Sequence, residues 1–268
     1  MDDTLNSYTN YTLYGFAYCG KPDQFDNALR YLASTAEKEP WGFYKDDISI
    51  LKTYIFKTFE RCSKEGKILC SPSVSCCCVN TGLLTDKGKD IVMFFEPNMS
   101  DSILAKDWYF RGFISIQDRE FVDTFDKIPE LASYTDNPED FFFNPEYEIE
   151  VNIDHILDDN WERIKSAFDQ PKEVAELILI GALDKAKKKA KRNMRLVLPQ
   201  YYNEEIGFLL PIEIPKNGGK EVMVFALEKT PFKKYRASTM FDLKTAYAKA
   251  RLLMKIENNW LRPEGQGS

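Results

Sequence analysis

An α+β fold, a mostly antiparallel sheet packed with about four helices, is what this 268-residue sequence predicts. Three observations carry the expectation. Stripes of apolar residues at helical spacing occur near the start, the middle and the end of the chain. Short apolar runs bounded by turn residues lie between them. The two kinds of segment do not alternate regularly, as the βα units of a parallel sheet would. A hydrophobic fraction of 44% is enough for a real core.

The first helix is expected over 23–38, with Phe25, Ala28, Leu29, Leu32, Ala33 and Ala36 on one face. Pro22 and Asp23 suit its start, and Pro40–Trp41–Gly42 ends it. A second is expected over 47–63, with Ile48, Leu51, Ile55, Phe59 and Cys62 facing inward. Strands follow at Ile68–Cys70, Val74–Val79, Ile91–Phe95, Trp108–Ile114 and Glu146–Ile153. Residues 115–145 are rich in Asp, Pro and Asn and read as a long packed connection, with Phe141–Phe143 as its apolar anchor. A third helix should run from about Pro171 to Asn193, its VAELILIGAL half deeply buried and its DKAKKKAKRN half in solvent. Strands around Gly207–Ile214 and Glu221–Leu227 are joined by the hairpin turn Asn217–Gly218–Gly219. The last helix is expected over Leu243–Lys255. No internal repeat or low-complexity linker divides the chain, so one domain is expected over residues 1–263, with 264–268 a disordered tail.

Composition excludes some function classes. A net charge of −6 argues against a molecule that grips nucleic acid with its whole surface, so an anion site must come from a local basic patch. The opening residues MDDTLNSYTN lack a basic start and an apolar stretch, and the run Leu177–Leu183 is far short of the ~20 residues that cross a bilayer. The expectation is a cytoplasmic protein without membrane contact, its thiols reduced. Of the six cysteines, no pair has C-x-x-C spacing, and three in a row on a strand point to alternate faces. They read as small core residues. No metal and no cofactor is expected.

Four constellations could carry chemistry. Lys185, Lys187, Lys188, Lys189, Lys191, Arg192 and Arg195 place seven cations in eleven positions, either a phosphate-binding surface or the solvated end of a helix whose dipole favours cations. On the last helix, Lys244, Arg251 and Lys255 share a face beside Tyr247, where an arginine fork suits a phosphate or an acid at the core's rim. The segment Asn80–Thr81–Gly82–Leu83–Leu84–Thr85–Asp86 reads as a turn after a strand, able to offer backbone N–H groups to an anion. Glu146, Glu148, Glu150, Asn152 and Asp154 alternate on one strand face, as oxygen ligands for a hard cation or simply as its wet side. His155, the lone histidine, sits beside Asp154, Asp158 and Asp159. No nucleophile–base pair stands out, and no catalytic residue is assigned.

Taken together, several segments resemble the bacterial family labelled domain of unknown function 3825. They are LASTAEKEPW (Leu32–Trp41), ISILKTYIFKTFER (Ile48–Arg61), VNTGLLTD (Val79–Asp86), FFEPN (Phe94–Asn98) and WYFRGF (Trp108–Phe113), followed by NPEYEIEVNIDHILDDNWERI (Asn144–Ile164), YRASTMFDLKTAYAKARLL (Tyr235–Leu253) and Asn259–Trp260–Leu261. The chain departs from that family in having Val79 before the Asn-Thr-Gly-Leu segment and Lys249–Ala250–Arg251 near the end. The family's activity is not settled. Its frequent neighbours, winged-helix modules of the OST-HTH (LOTUS) type, imply a role near RNA or nucleotides in a bacterium or phage.

The expected function is a non-catalytic binder of a phosphate-bearing ligand, a nucleotide signal or RNA, acting as a sensor or sequestering protein. Asn80, Thr81 and Gly82 would supply polar contacts, and Tyr235, Tyr247 and Arg251 stacking and charge. Two alternatives stay open: a metal-dependent nucleotide or RNA hydrolase using Glu148, Glu150 and Asp154, and a protein-interaction module. The oligomeric state is not legible.

Overall fold

The computed structural model describes residues 11–42, 44–100, 106–256 and 261. The expected tail, 264–268, lies outside them. The fold is α+β, and the chain groups into two compact units, Met1–Ser133 and Tyr134–Ser268, each with its own five-stranded sheet.

In the N-terminal unit the elements are α1 (Leu13–Phe16), β1 (Ala17–Tyr18), α2 (Pro22–Thr35), α3 (Ser49–Lys64), β2 (Leu69–Cys70), β3 (Cys77–Leu84), β4 (Asp90–Pro97), β5 (Trp108–Ser115) and α4 (Arg119–Val122). The sheet order is β1-β5-β4-β3-β2, antiparallel except for the β1–β5 pair. Strand periodicity sorts its side chains to two faces. Trp108, Phe110 and Phe95 meet Phe16, Phe25 and Phe59 from α1, α2 and α3, with ring centroids 5.2–5.9 Å apart. Leu69, Cys78, Val92 and Phe94 are covered on the other face by Phe121 and Phe125. Each such aromatic or aliphatic side chain contributes about 1.5–3 kcal/mol by leaving water.

The cysteines depart from the expectation of six reduced thiols, for Cys70 and Cys77 are joined by a disulfide. They face one another across the β2–β3 ladder, with Cα atoms 4.0 Å apart. Strand alternation keeps Cys76 and Cys78 with the other face. Burial pushes the Cys19 and Cys62 thiols up to about 12 and raises that of Cys78 as well.

In the C-terminal unit the elements are β6 (Glu148–Val151), α5 (Ile153–Ile164), α6 (Lys172–Arg192), β7 (Leu198–Tyr202), β8 (Glu205–Lys216), β9 (Gly219–Thr230), β10 (Lys234–Phe241) and α7 (Leu243–Arg251). The order is β6-β10-β9-β8-β7, again antiparallel except for one pair, β6 with β10. The Asn217–Gly218 turn links β8 to β9 as expected, with Gly218 at φ +87°. Asn203 and Glu204, both at positive φ, make a second two-residue turn between β7 and β8. One face of this sheet, carrying Phe208, Leu210, Ile212, Phe225, Leu227 and Tyr235, is packed with the buried stripes of α5 and α6. Leu209, Val224 and Ala226 alternate with these and are buried too, and α7 packs against β7, β9 and β10.

The described residues form seven α-helices where about four were expected. The additions are α1 and α4, each of four residues, and α5. The alternation from Glu146 stops at Val151 because Asn152 caps a helix, its side-chain oxygen accepting from the backbone N–H of His155 at 3.2 Å. The apolar half of α6 is also not deeply buried. Ala175, Leu179, Ala182 and Leu183 face the core, whereas Val174, Leu177 and Ile180 are exposed.

Candidate functional site

Asn80, Thr81 and Gly82 belong to the N-terminal unit and do not form a strand-ending turn. Strand β3 runs on to Leu84, and Thr81 and Gly82 are inserted as a bulge between Asn80, which pairs with Val92, and Leu83, which pairs with Ile91. Gly82 has φ +72°. The bulge consumes the polar groups internally. The Asn80 amide donates to Asp90 Oδ1 (3.0 Å) and to the Pro129 carbonyl (3.1 Å), and its oxygen accepts from the Gly82 N–H (2.9 Å). The Thr81 hydroxyl donates to the Ile91 carbonyl at 2.6 Å, and the Tyr54 hydroxyl donates to the Thr81 carbonyl at 2.9 Å. Asn80 and Thr81 are buried.

Tyr235, Tyr247 and Arg251 belong to the C-terminal unit. Tyr235 is 1% exposed, stacks on Phe143 at 4.9 Å and accepts a hydrogen bond at its hydroxyl from the Asn144 N–H at 2.9 Å. Burial raises its pKa. Its ring is a core ring that fixes the loop before β6. Helix α7 is capped by Asp242, which accepts from the Thr245 N–H, and it ends at Arg251 instead of Lys255. Tyr247 and Arg251 lie on its buried side at 1% and 6% exposure, so the charged face expected to join Arg251 with Lys255 is not formed.

A cavity of about 550 Å³ lies in the same unit, and none of these three side chains lines it. One wall is Phe141–Phe143, reached through a 3-10 turn over Pro138–Phe141 capped by Asn137, whose side chain accepts from the Glu139 N–H. Phe143 is buried against Tyr235 and Phe208, while Phe142 is 68% exposed. A second wall follows α6, where Asn193 ends the helix and accepts from the Arg195 N–H, turning the chain toward β7. It carries Asn193, Met194, Arg195, Val197, Leu198 and Pro199. The third wall is Met254–Lys255–Ile256, after α7. These described lining residues include two cations and no acid, histidine, cysteine or hydroxyl. The cavity can hold a flat ring and an anion, and it presents no general base.

Five cations of the basic segment are engaged by the fold. Glu213 on β8 receives Lys185 (2.8 Å), Lys189 (3.0 Å) and Lys220 (2.5 Å), and these lysines hold its carboxyl down at about 2. Lys187 donates to the Ile149 carbonyl, Lys188 pairs with Asp184, and Arg192 donates to the Lys188 carbonyl. The acidic strand is likewise engaged. Lys234, beside it on β10, pairs with Glu148 (3.1 Å) and Glu150 (2.5 Å), which lowers the pKa of Glu150. Asp154 lies in the first turn of α5, and His155 is exposed, 3.3 Å from Asp159. Among the described residues no group of three or more His, Cys, Asp or Glu is placed to hold a metal ion.

A family model described as Domain of unknown function (DUF3825) matches residues 32–260. No curated protein and no solved structure matches the chain.

Proposed function

We propose that this chain, which belongs to the DUF3825 family, binds a small phosphate-bearing ligand of the nucleotide class without transforming it, in the cavity of its C-terminal unit. The observation that carries the reading is the lining, in which Phe141 and Phe142 occur together with Arg195 and Lys255. Bases stack on aromatic faces, and guanidinium and ammonium groups pair with phosphate. A volume of about 550 Å³ suits one nucleotide better than a strand. The net charge of −6 works against a long polyanion. Tyr235, Tyr247 and Arg251 then serve by holding the walls, not by touching the ligand.

The test is thermal stability against nucleotides, cyclic oligonucleotides and short RNAs. A ligand at a hundred times its dissociation constant adds about 2.7 kcal/mol to stability. The shift should vanish in Arg195→Ala and shrink in Phe142→Ala. For a ligand held by two cations, the slope of log affinity against log salt should be no steeper than about −2. A steeper slope moves the reading to RNA. No shift across the panel, or a shift untouched by Arg195→Ala, rejects this cavity as the site.

A further inference from the structure

The disulfide between Cys70 and Cys77 joins two residues that the β2–β3 hairpin already holds together. Their separation along the chain is only 7 residues. A cross-link gains most where it closes a long stretch of chain, so this one sits where it adds least to stability. The hairpin loop is closed by its own hydrogen bonds. The Ser71 N–H donates to the Cys76 carbonyl (2.9 Å), and the Val74 N–H donates to the Ser71 carbonyl (2.8 Å). The hydroxyl of buried Ser71 accepts from the N–H groups of Ser75 and Cys76, both at 3.2 Å. Ser71 and Cys76 thus occupy a hydrogen-bonded position of the ladder. Cys70 and Cys77, the next pair along, stand where side chains of opposed strands approach most closely. The two sulfurs therefore face one another with or without the bond.

Cys77 is fully buried, and Cys70 is the partly exposed member of the pair. We propose that Cys70–Cys77 is a reversible thiol–disulfide site, opened by a dithiol through its Cys70 sulfur and closed again without unfolding. The thiolate of the dithiol attacks Cys70 Sγ, the Cys70–Cys77 bond breaks, and its electron pair leaves with Cys77, which takes up a proton. The second sulfur of the dithiol then displaces Cys70 from the mixed disulfide. The dithiol ends as a disulfide, and its two hydrogens end on Cys70 and Cys77. A monothiol does not carry this through. Its mixed disulfide at Cys70 faces a Cys77 thiol that the ladder holds opposite, and that thiol expels it. Shuffling within the strand is disfavoured as well. Cys76 and Cys78 turn to the other face of the sheet. Burial raises the pKa of both thiols, and the carboxylates of Glu96 and Glu120 add to the rise at Cys76. None of these cysteines lines the ligand cavity, so the site is independent of the proposed function.

The experiment treats the oxidised full chain, without denaturant, with mixtures of reduced and oxidised dithiothreitol. A parallel sample receives 2-mercaptoethanol at about ten times the thiol concentration. Acid quenching, alkylation and peptide mass then read Cys70 and Cys77 apart from the four free cysteines. The expected result is that the pair opens and closes together in dithiothreitol as one couple. Circular dichroism and the fluorescence of Trp41 and Trp108 should not change, and 2-mercaptoethanol should leave the bond closed. Ser71→Ala should shift the equilibrium about tenfold toward the two thiols, because the loop then frays and the sulfurs part. A bond that resists dithiothreitol until urea unfolds the chain overturns the proposal, and so does loss of the fold on reduction. Closure onto Cys76, opening by 2-mercaptoethanol as readily as by dithiothreitol, or an equilibrium untouched in folded Ser71→Ala overturns it too. If Ser71→Ala does not fold, the comparison of the two reductants decides.

Discussion

Replacing Asn80 by alanine separates a binding turn from a structural bulge. Its amide makes three hydrogen bonds inside the N-terminal unit, one of them to the Asp90 carboxylate. Alanine strands the Pro129 carbonyl, and the Gly82 N–H and Asp90 must turn to water. A neutral hydrogen bond is worth about 1 kcal/mol and one to a charged group somewhat more, so the loss should total about 3 kcal/mol. In a unit of this size that is a fall of roughly 10 °C in melting temperature. The assay is urea unfolding followed by fluorescence of Trp41 and Trp108, both buried in this unit, with the slope unchanged and the midpoint lowered. Asn80→Asp should be at least as harmful, because it places a carboxylate against Asp90 and the Pro129 carbonyl. A loss below about 1 kcal/mol would refute the reasoning. So would the disappearance of nucleotide-dependent stabilisation in folded Asn80→Ala, since the bulge belongs to the other unit from the proposed cavity.

Gly82→Ala should cost about 2 kcal/mol, because the residue has φ +72° and a Cβ would come within 2.6 Å of the Tyr54 hydroxyl; an unchanged midpoint of urea unfolding would contradict it. Glu213 has its carboxyl held at about 2, below its unfolded value, so its stabilising effect is complete above the unfolded pKa and is lost as pH falls through about 2. Discounted for its partial exposure, this is about 1–2 kcal/mol, and Glu213→Gln should flatten the acid limb of stability between roughly pH 4.5 and 2. Thiol titration of the oxidised, unfolded chain should count four free cysteines, Cys19, Cys62, Cys76 and Cys78. In the folded chain Cys76 should alkylate first, as the other three are buried. Reducing the Cys70–Cys77 bond, which closes a short loop, should cost about 2.5 kcal/mol by the chain-entropy relation. A count of six, or equal stability after reduction, would go against this.

What could be read from the sequence was local. Helices α2, α3 and α6 were legible because their apolar stripes keep helical spacing over ten or more residues, and the Asn217–Gly218 turn because few residues tolerate its backbone. Strand β10 was missed because its alternation, with Tyr235 and Ala237 buried and Arg236 exposed, is cut short by a bulge between Ala237 and Thr239. The Asn-Thr-Gly segment misled because a bulge and a turn require the same residues, a glycine at positive φ and a short polar side chain beside it. Helix α5 hid behind the alternation that begins at Glu146, although Asn152 three residues before His155 is a capping signal. Arg251 looked like a clamp because helical angles give faces but not depth. The cavity draws on three distant segments, and among its lining residues Phe141–Phe143, Arg195 and Lys255 had stood out, each in a different constellation. The exposed stripe of α6 looked like core because apolarity alone does not say which side of a helix is buried.

Both sheets hold one parallel pairing, and in each the strand involved is the first of its unit. β1 finds its place only beside β5, and β6 only beside β10. Neither pairing can form until the intervening antiparallel ladder exists, since a parallel neighbour needs a long return path. During synthesis at 5–20 residues per second, β1 must wait on the order of 5–20 s for Trp108 to be made, and β6 about as long for Lys234. Until then β1 and β6 have no strand to pair with, and the edges of β5 and β10 are closed only once those two strands are found. Contacts this distant along the chain also slow folding, which makes closure of these two edges the late step in refolding and the interval in which a nascent chain most needs protection from its neighbours.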